Sequence, residues 1–276
     1  RTIVTALALV LAGSALAQSA YPNRPVTVVV GFAPGGGTDI TARLIAKTLS
    51  EYLGQQIIVD NRAGAGGNIA ADLVARANPD GYTIMLGNVG ALAVAPHLNT
   101  KLPYDPLRDF APISMAVVFA NVLVVNAATP ANTLDEYVKL ANTKPGGMAY
   151  GTSGIGGAGH LAGELFKMTA KANLLHVSYK GGGPAMTDLV GGQVPSLFAS
   201  APSAVPHVKS GKIRALATTG AKRSSSFPDV PTIAELGYPG YEALNWYAFV
   251  APAKTPKEII ERLNREIVRT LNNPET

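Results

Sequence analysis

Val26-Thr27-Val28-Val29-Val30-Gly31 leads into Phe32-Ala33-Pro34-Gly35-Gly36-Gly37-Thr38-Asp39, and then Ile40, Leu44, Ile45, Leu49, Tyr52 and Leu53 recur before Gly54. An unbroken apolar run without polar alternation marks a strand buried on both faces. The later recurrence at three- and four-residue intervals marks a helix, with Thr38-Asp39 as its expected N-cap and Gly54 as its stop. Strand, glycine loop and helix in that order form the repeating unit of an α/β fold with parallel strands.

The unit recurs along the chain. Ile57–Asp60 reads as the next strand, with Arg62-Ala63-Gly64-Ala65-Gly66-Gly67 as its loop and a helix through Arg76. Tyr82–Gly87 is a third strand ending in Asn88, and Pro96–Pro112 is irregular. The apolar run Met115–Val125 reads as a long strand crossing between two lobes, with a return expected near Ala215–Ala221. Further strands are expected near 148–151, 174–179, 195–199, 213–218 and 246–250, and a last helix from Pro256. The organisation expected is a discontinuous lobe I, residues 18–118 and 222–276, and a lobe II, residues 119–221. Two crossovers form a hinge, and the hinge leaves a cleft.

Composition narrows the function. The chain has 276 residues, 47% hydrophobic and 15% charged, too apolar and too sparsely charged for a disordered protein. It contains no cysteine, which removes disulfides, thiol nucleophiles and Cys-ligated metals. A net charge of +5, without a dense Lys/Arg run, argues against nucleic acid as a partner. Arg1, the apolar run Ile3–Ala12 and Ala15-Leu16-Ala17 have the form of a secretory signal over residues 1–17. The mature protein is therefore expected outside the cytoplasm.

Ligands of open α/β sheets bind beyond the carboxyl ends of the strands. Two glycine loops belong there, Phe32–Asp39 and Gly151-Thr152-Ser153-Gly154-Ile155-Gly156-Gly157-Ala158-Gly159-His160. Bare backbone at a helix start presents N–H donors to an anion without needing Lys or Arg. The candidate ligand-binding residues are Phe32, Ala33, Gly35, Gly36, Thr38, Asp39, Thr152, Ser153, Gly154 and Gly156, joined by Asn88, Tyr179 and Ser200. Asp39 suits either a helix cap or a ligand acceptor; Asn88 and Ser200 suit either turns or contacts.

Other chemistries fit less well. Gly154-x-Gly156-x-x-Gly159 matches the dinucleotide fingerprint, but the strand ending His176-Val177-Ser178-Tyr179-Lys180 lacks the acidic residue that motif requires. Gly151-Thr152-Ser153-Gly154-Ile155 misses the nucleophile elbow because Ile155 stands where glycine is needed. An exported serine hydrolase using Ser153 and His160 is the rival reading. The histidines at 97, 160, 176 and 207 have no metal-ligand spacing, so no metal or cofactor is expected.

Taken in order, Tyr21-Pro22-x-Arg24-Pro25, Gly31–Asp39, Asn61–Gly67, Asp80-Gly81-Tyr82-Thr83, Gly154-x-Gly156-x-x-x-His160-Leu161, Tyr179-Lys180-Gly181 and Gly211–Ala217 resemble the extracytoplasmic solute receptors of tripartite tricarboxylate transporters, the Bug-type receptors. The resemblance covers nearly all of the mature chain. It implies a two-lobed type II periplasmic-binding-protein fold and a monomeric periplasmic receptor without enzymatic activity. It also implies a small carboxylate as ligand, gripped by the loops at Phe32–Asp39 and Thr152–Gly156 through backbone N–H groups, hydroxyls and water. Asn88, Tyr179 and Ser200 would face the rest of the ligand, and a two-subunit membrane permease would receive it. A sensor subunit of a signalling system is the alternative partner arrangement. Two departures stand out: Ala199-Ser200-Ala201 lacks the acidic or amide residue many relatives carry, and the chain stops at Thr276 where relatives continue.

Overall fold

The computed structural model describes residues 21–276, so the expected signal sequence lies outside the described residues. The elements in chain order begin with β1 (Val26–Val30), α1 (Gly37–Leu53), β2 (Ile57–Asn61), α2 (Asn68–Ala75), β3 (Thr83–Asn88), the short α3 (Ala95–Leu98) and β4 (Phe110–Asn126). They continue with α4 (Leu134–Thr143), β5 (Met148–Thr152), α5 (Ala158–Ala170), β6 (Leu174–Ser178), α6 (Gly182–Val190) and β7 (Ser196–Ser200). Last come α7 (Ala201–Lys209), β8 (Ile213–Thr218), β9 (Leu244–Pro252) and α8 (Lys257–Leu271). The short strands near 148, 174, 195 and 213 lie where the sequence placed them, because each is a local apolar run bounded by glycine or proline.

β1 sits between β2 and β3, parallel to both, and its valines are buried as the continuous run requires. β5 likewise runs parallel to β6 and β7. The two parallel sets are joined by antiparallel strands. β9 pairs with β3 and with the first part of β4, from Phe110 to Ala120. The rest of β4, Asn121–Asn126, pairs antiparallel with β7 and β8. β4 is half exposed along its first part and buried from Ala120 to Val125, where helices cover both faces. The long crossing strand read from the sequence is therefore present, and it passes from one lobe to the other at Ala120-Asn121.

Each lobe has its own core. The first is built on Val26, Val28, Leu49, Ile84, Leu86, Phe249 and Ile267. The second is built on Leu123, Tyr137, Tyr150, Phe166 and Phe198, and it also takes in Ile233 and Tyr241. Phe227 packs against Val122 and Val124 on the other face of the same sheet. Residues 222–243 thus belong with lobe II, and the expected return to lobe I near Ala215–Ala221 is displaced to Ala243-Leu244. Ala243 donates to the Thr219 carbonyl at 2.8 Å just before β9 begins. That segment has no helical or strand periodicity, so only its packing reveals its lobe.

Leu123 is fully buried at the start of the lobe II part of β4. Leu123→Ala is expected to cost about 2–5 kcal/mol in urea unfolding, because the surrounding aromatic side chains collapse only partly into the space. A loss below about 1 kcal/mol would show that this cluster is not close-packed.

Candidate functional site

A cavity lies between the lobes, lined from lobe I by Phe32, Gly36, Gly37 and Thr38, and from lobe II by Ser153, Gly159, Gly182, Ser200 and Ser203. Its floor is the β4–β9 ribbon, through Asn121, Asn245 and Tyr247. In this arrangement the enclosed space is about 30 Å³, room for ordered water but less than an organic acid occupies.

Four helices begin at this cavity. Gly36 caps the 17-residue α1, Gly157 the 13-residue α5, Gly181 the nine-residue α6 and Ser200 the nine-residue α7. Gly37 and Thr38, Gly159, Gly182, and Ser203 bring these first turns to the cavity wall. A helix start carries N–H groups without intrahelical partners and the positive end of the peptide dipoles. None of the lining residues is charged. The site is electropositive through backbone alone.

The cap of α1 is Gly36, not Thr38-Asp39 as the sequence led us to expect. Asp39 stands in the first turn, buried, and its carboxylate is fully engaged. Oδ2 accepts from the Gly35 amide at 3.0 Å, and Oδ1 accepts from Arg43 Nε and Asn61 Nδ2, each at 3.0 Å. Burial alone would raise the pKa of this carboxyl, but the hydrogen bonds from Arg43, Gly35 and Asn61 and the charge of Arg43 hold it below the usual carboxylate value. Asp39 shapes the loop and does not line the cavity.

The remaining candidates divide in the same way. Phe32, Gly36, Thr38, Ser153 and Ser200 line the cavity. Ala33 donates its amide to the Lys180 carbonyl at 3.0 Å, a bond from lobe I to lobe II. Gly35 packs beside Gly183, and a Cβ on Gly36 would lie 3.0 Å from the Gly182 nitrogen. Gly154 faces Gly66, while Gly156 and Gly157 face Gly90. Several glycines read as ligand-gripping therefore allow the two lobes to meet backbone to backbone. Asn88 points toward Gly67 and Gly90 and lies outside the cavity lining. Tyr179 donates to Asp188 at 2.9 Å and borders an outer groove with Gly154 and Gly156; burial and Asp188 push its phenol up to about 12.

Thr152 is fully buried beneath the lobe II loop, its hydroxyl 2.7 Å from His176 Nε2. His176 stacks on His160 at 4.2 Å between ring centres, and His160 Nδ1 accepts from the Gly156 amide at 3.1 Å. Among the described residues no hydrogen bond joins Ser153 to His160, whose Nδ1 already serves the loop. The described residues also hold no group of three or more metal-ligating side chains, and no helix long and apolar enough to cross a membrane.

The sequence reading missed Asn121, Asn245 and Tyr247. Tyr247 is buried at the cavity floor, with its hydroxyl in hydrogen-bonding reach of the Thr38, Ser200 and Asn245 side chains, and burial raises it to about 12. Polar residues inside otherwise apolar strands were the available signal.

The sequence matches the Tripartite tricarboxylate transporter family receptor over residues 41–276. The chain belongs to this family. The receptor is 42% identical to Protein BugT of Bordetella pertussis, over 98% of this chain and 84% of that one. It is also 42% identical to the UPF0065 protein in the tcbD-tcbE intergenic region of Pseudomonas sp. (strain P51), over 96% and 82%. Among solved structures it is similar to an R. palustris protein with adipate (TM-score 0.89, 40% identity, 92% of this chain and 85% of that one). MatC from Rhodopseudomonas palustris with bound malate gives a TM-score of 0.87 at 35% identity, over 92% and 87%. The periplasmic binding protein BugD gives 0.88 at 37%, over 92% and 85%. The two-lobed α/β fold is shared with these structures, of which BugD is a periplasmic binding protein. The receptor is not an enzyme, which overturns the serine hydrolase reading of Ser153 and His160.

Burial and the neighbouring His160 push the His176 imidazole down to about 4, and burial also lowers His160; Glu164 opposes and Lys167 reinforces both shifts. An unfolded histidine titrates near 6.5, so between about pH 6.5 and 4 the unfolded chain binds more protons than the folded one. Stability of the receptor is therefore expected to fall as pH drops through that window, seen as a declining melting temperature. His176→Gln should flatten the decline, and an unchanged slope would mean the pair does not govern it.

Proposed function

We propose that this receptor captures a small carboxylate (a dicarboxylate, tricarboxylate or aromatic acid) between its lobes in the periplasm and delivers it to a two-subunit membrane permease, acting as a monomer. The observation that carries the reading is the convergence of four helix starts on one cavity whose wall has no charged side chain. Such a site favours an anion over a cation by fixed dipoles and N–H groups. The carboxylate would take hydrogen bonds from the first turn of α1 and from the Ser153–Gly159 loop, and thereby bridge the lobes. Extra contacts made only in the closed form would make the ligand favour closure. The relatives with adipate and with malate support this ligand class, and the family's transporter assignment supports the permease.

The test is thermal melting of the mature receptor against a panel of carboxylates. A ligand present at about 100 times its dissociation constant should stabilise by about 2.7 kcal/mol, a rise of several degrees for a chain of this size. Asp39→Ala and Ser153→Ala should each weaken the shift, the first by releasing the Gly35–Asn61 clasp and the second by removing a hydroxyl from the cavity. A cooperative melt unmoved by every acid would refute the anion cleft.

A second expectation concerns closure itself. A Cβ on Gly37 would collide with the Ser200 side chain. Gly37→Ala should leave the melting temperature of the free receptor within a few degrees yet abolish the ligand-induced shift. Wild-type affinity in that variant would mean the lobes do not close as they do here.

A further inference from the structure

Asn121 and Asn245 are brought together at the cavity floor from β4 and β9, 1% and 8% exposed. Asn245 Nδ2 donates to Asn121 Oδ1 at 3.4 Å. Asn245 also lies in hydrogen-bonding reach of the Tyr247 hydroxyl. Asn121 Nδ2 and Asn245 Oδ1 are buried and have no partner among the described residues. Leaving buried amide atoms unbonded is costly, so a pair of them facing one cavity calls for a ligand.

The chemistry of that ligand follows from the pair and does not depend on which way the amides are turned. An amide–amide bond consumes the N–H₂ side of one residue and the carbonyl of the other. What is left without any partner is therefore always one N–H₂ group and one carbonyl, a donor group and an acceptor group. A hydroxyl or a carboxamide can satisfy both at once. A carboxylate accepts from the donor but opposes the bare carbonyl, and an ammonium does the reverse. Since no charged side chain lines the cavity, nothing else there offsets either mismatch.

We propose that Asn121 and Asn245 select a carboxylate whose second polar group is an uncharged donor–acceptor, a hydroxyl or a primary amide. This rests on the carboxylate reading above, with the helix starts holding the carboxylate and the asparagine pair reading the group beyond it.

The test compares acids of matched length by calorimetric titration of the intact mature receptor: 4-hydroxybutanoate, succinamate, succinate, 4-aminobutanoate and butanoate, with the corresponding three-, five- and six-carbon sets. At the chain length that binds, the hydroxy or amide acid should bind at least about tenfold more tightly than the dicarboxylate and the amino acid. Asn121→Asp is nearly isosteric and still accepts from Asn245, but it turns two acceptors toward the cavity. It should shift preference toward 4-aminobutanoate or its homologue, while Asn121→Leu should bring the hydroxy acid down to the affinity of the unsubstituted acid. Preference of the wild-type receptor for dicarboxylates, or an unaltered ranking in Asn121→Asp with a wild-type melt, would overturn the proposal. Binding of no acid in any set would instead overturn the carboxylate reading on which it stands.

Discussion

The antiparallel pairing of β4 with β9 is the constraint on which the molecule depends. Each lobe is an α/β unit built on a parallel strand set, and the cavity is lined from both. β4 runs through both, paired with β9 in lobe I and with β7 and β8 in lobe II, so that the carboxyl ends of β1 and β3 are set opposite those of β5 and β7. Among the described residues the chain passes between lobes at Ala120-Asn121 and at Ala243-Leu244, both on this ribbon. A two-strand connection resists sliding, because sliding breaks the ladder, but it tolerates bending about a line across the strands. In the proposed closure the lobes would move over a floor that stays the same.

That floor and the walls above it divide the work of recognition. The walls are helix starts, and their electropositive field comes from peptide groups already fixed by the helices. An arginine in their place would need ordering and partial desolvation each time the site closed. Glycine is what permits this wall. Across the cleft Gly36 meets Gly182, Gly66 meets Gly154, and Gly90 meets Gly156 and Gly157. The Ala33–Lys180 bond joins the lobes in the same way, backbone to backbone. With so little side chain at the seam, the proposed selectivity falls to Asn121, Asn245 and Tyr247 of the floor, with Ser200 on the wall beside them.

Asp39 and the His160–His176 stack show how the loops are held. Asp39 ties its own loop to β2 through Asn61 and to α1 through Arg43, which keeps the first helix start aimed at the cavity. On the other side, His176 anchors Thr152 and His160 anchors Gly156. Asp39 is buried and the two histidines half-buried, and both devices act on a neighbouring loop without lining the cavity themselves. Asp39 could be singled out from sequence but its task could not, because an acidic residue just after a glycine run caps a helix as readily as it binds a ligand; the histidine stack, without metal-ligand spacing, gave no such signal.

Strand, loop and helix in each repeat were determined by the sequence itself, since periodicity, β-branching and glycine punctuation act over a few residues. So was the long crossing strand, whose apolar run exceeds what one lobe needs, and the glycine loops at the strand ends. The tertiary structure alone decided three things. It assigned residues 222–243 to the second lobe through Phe227, Ile233 and Tyr241, side chains with no local period to announce their partner. It turned Gly35, Gly154 and Gly156 from ligand to opposing lobe. It also brought Asn121 to Asn245 across 124 positions of chain. Local pattern reports what a segment becomes, whereas a binding floor arises from register between strands distant in sequence, and register is set only when both cores have packed.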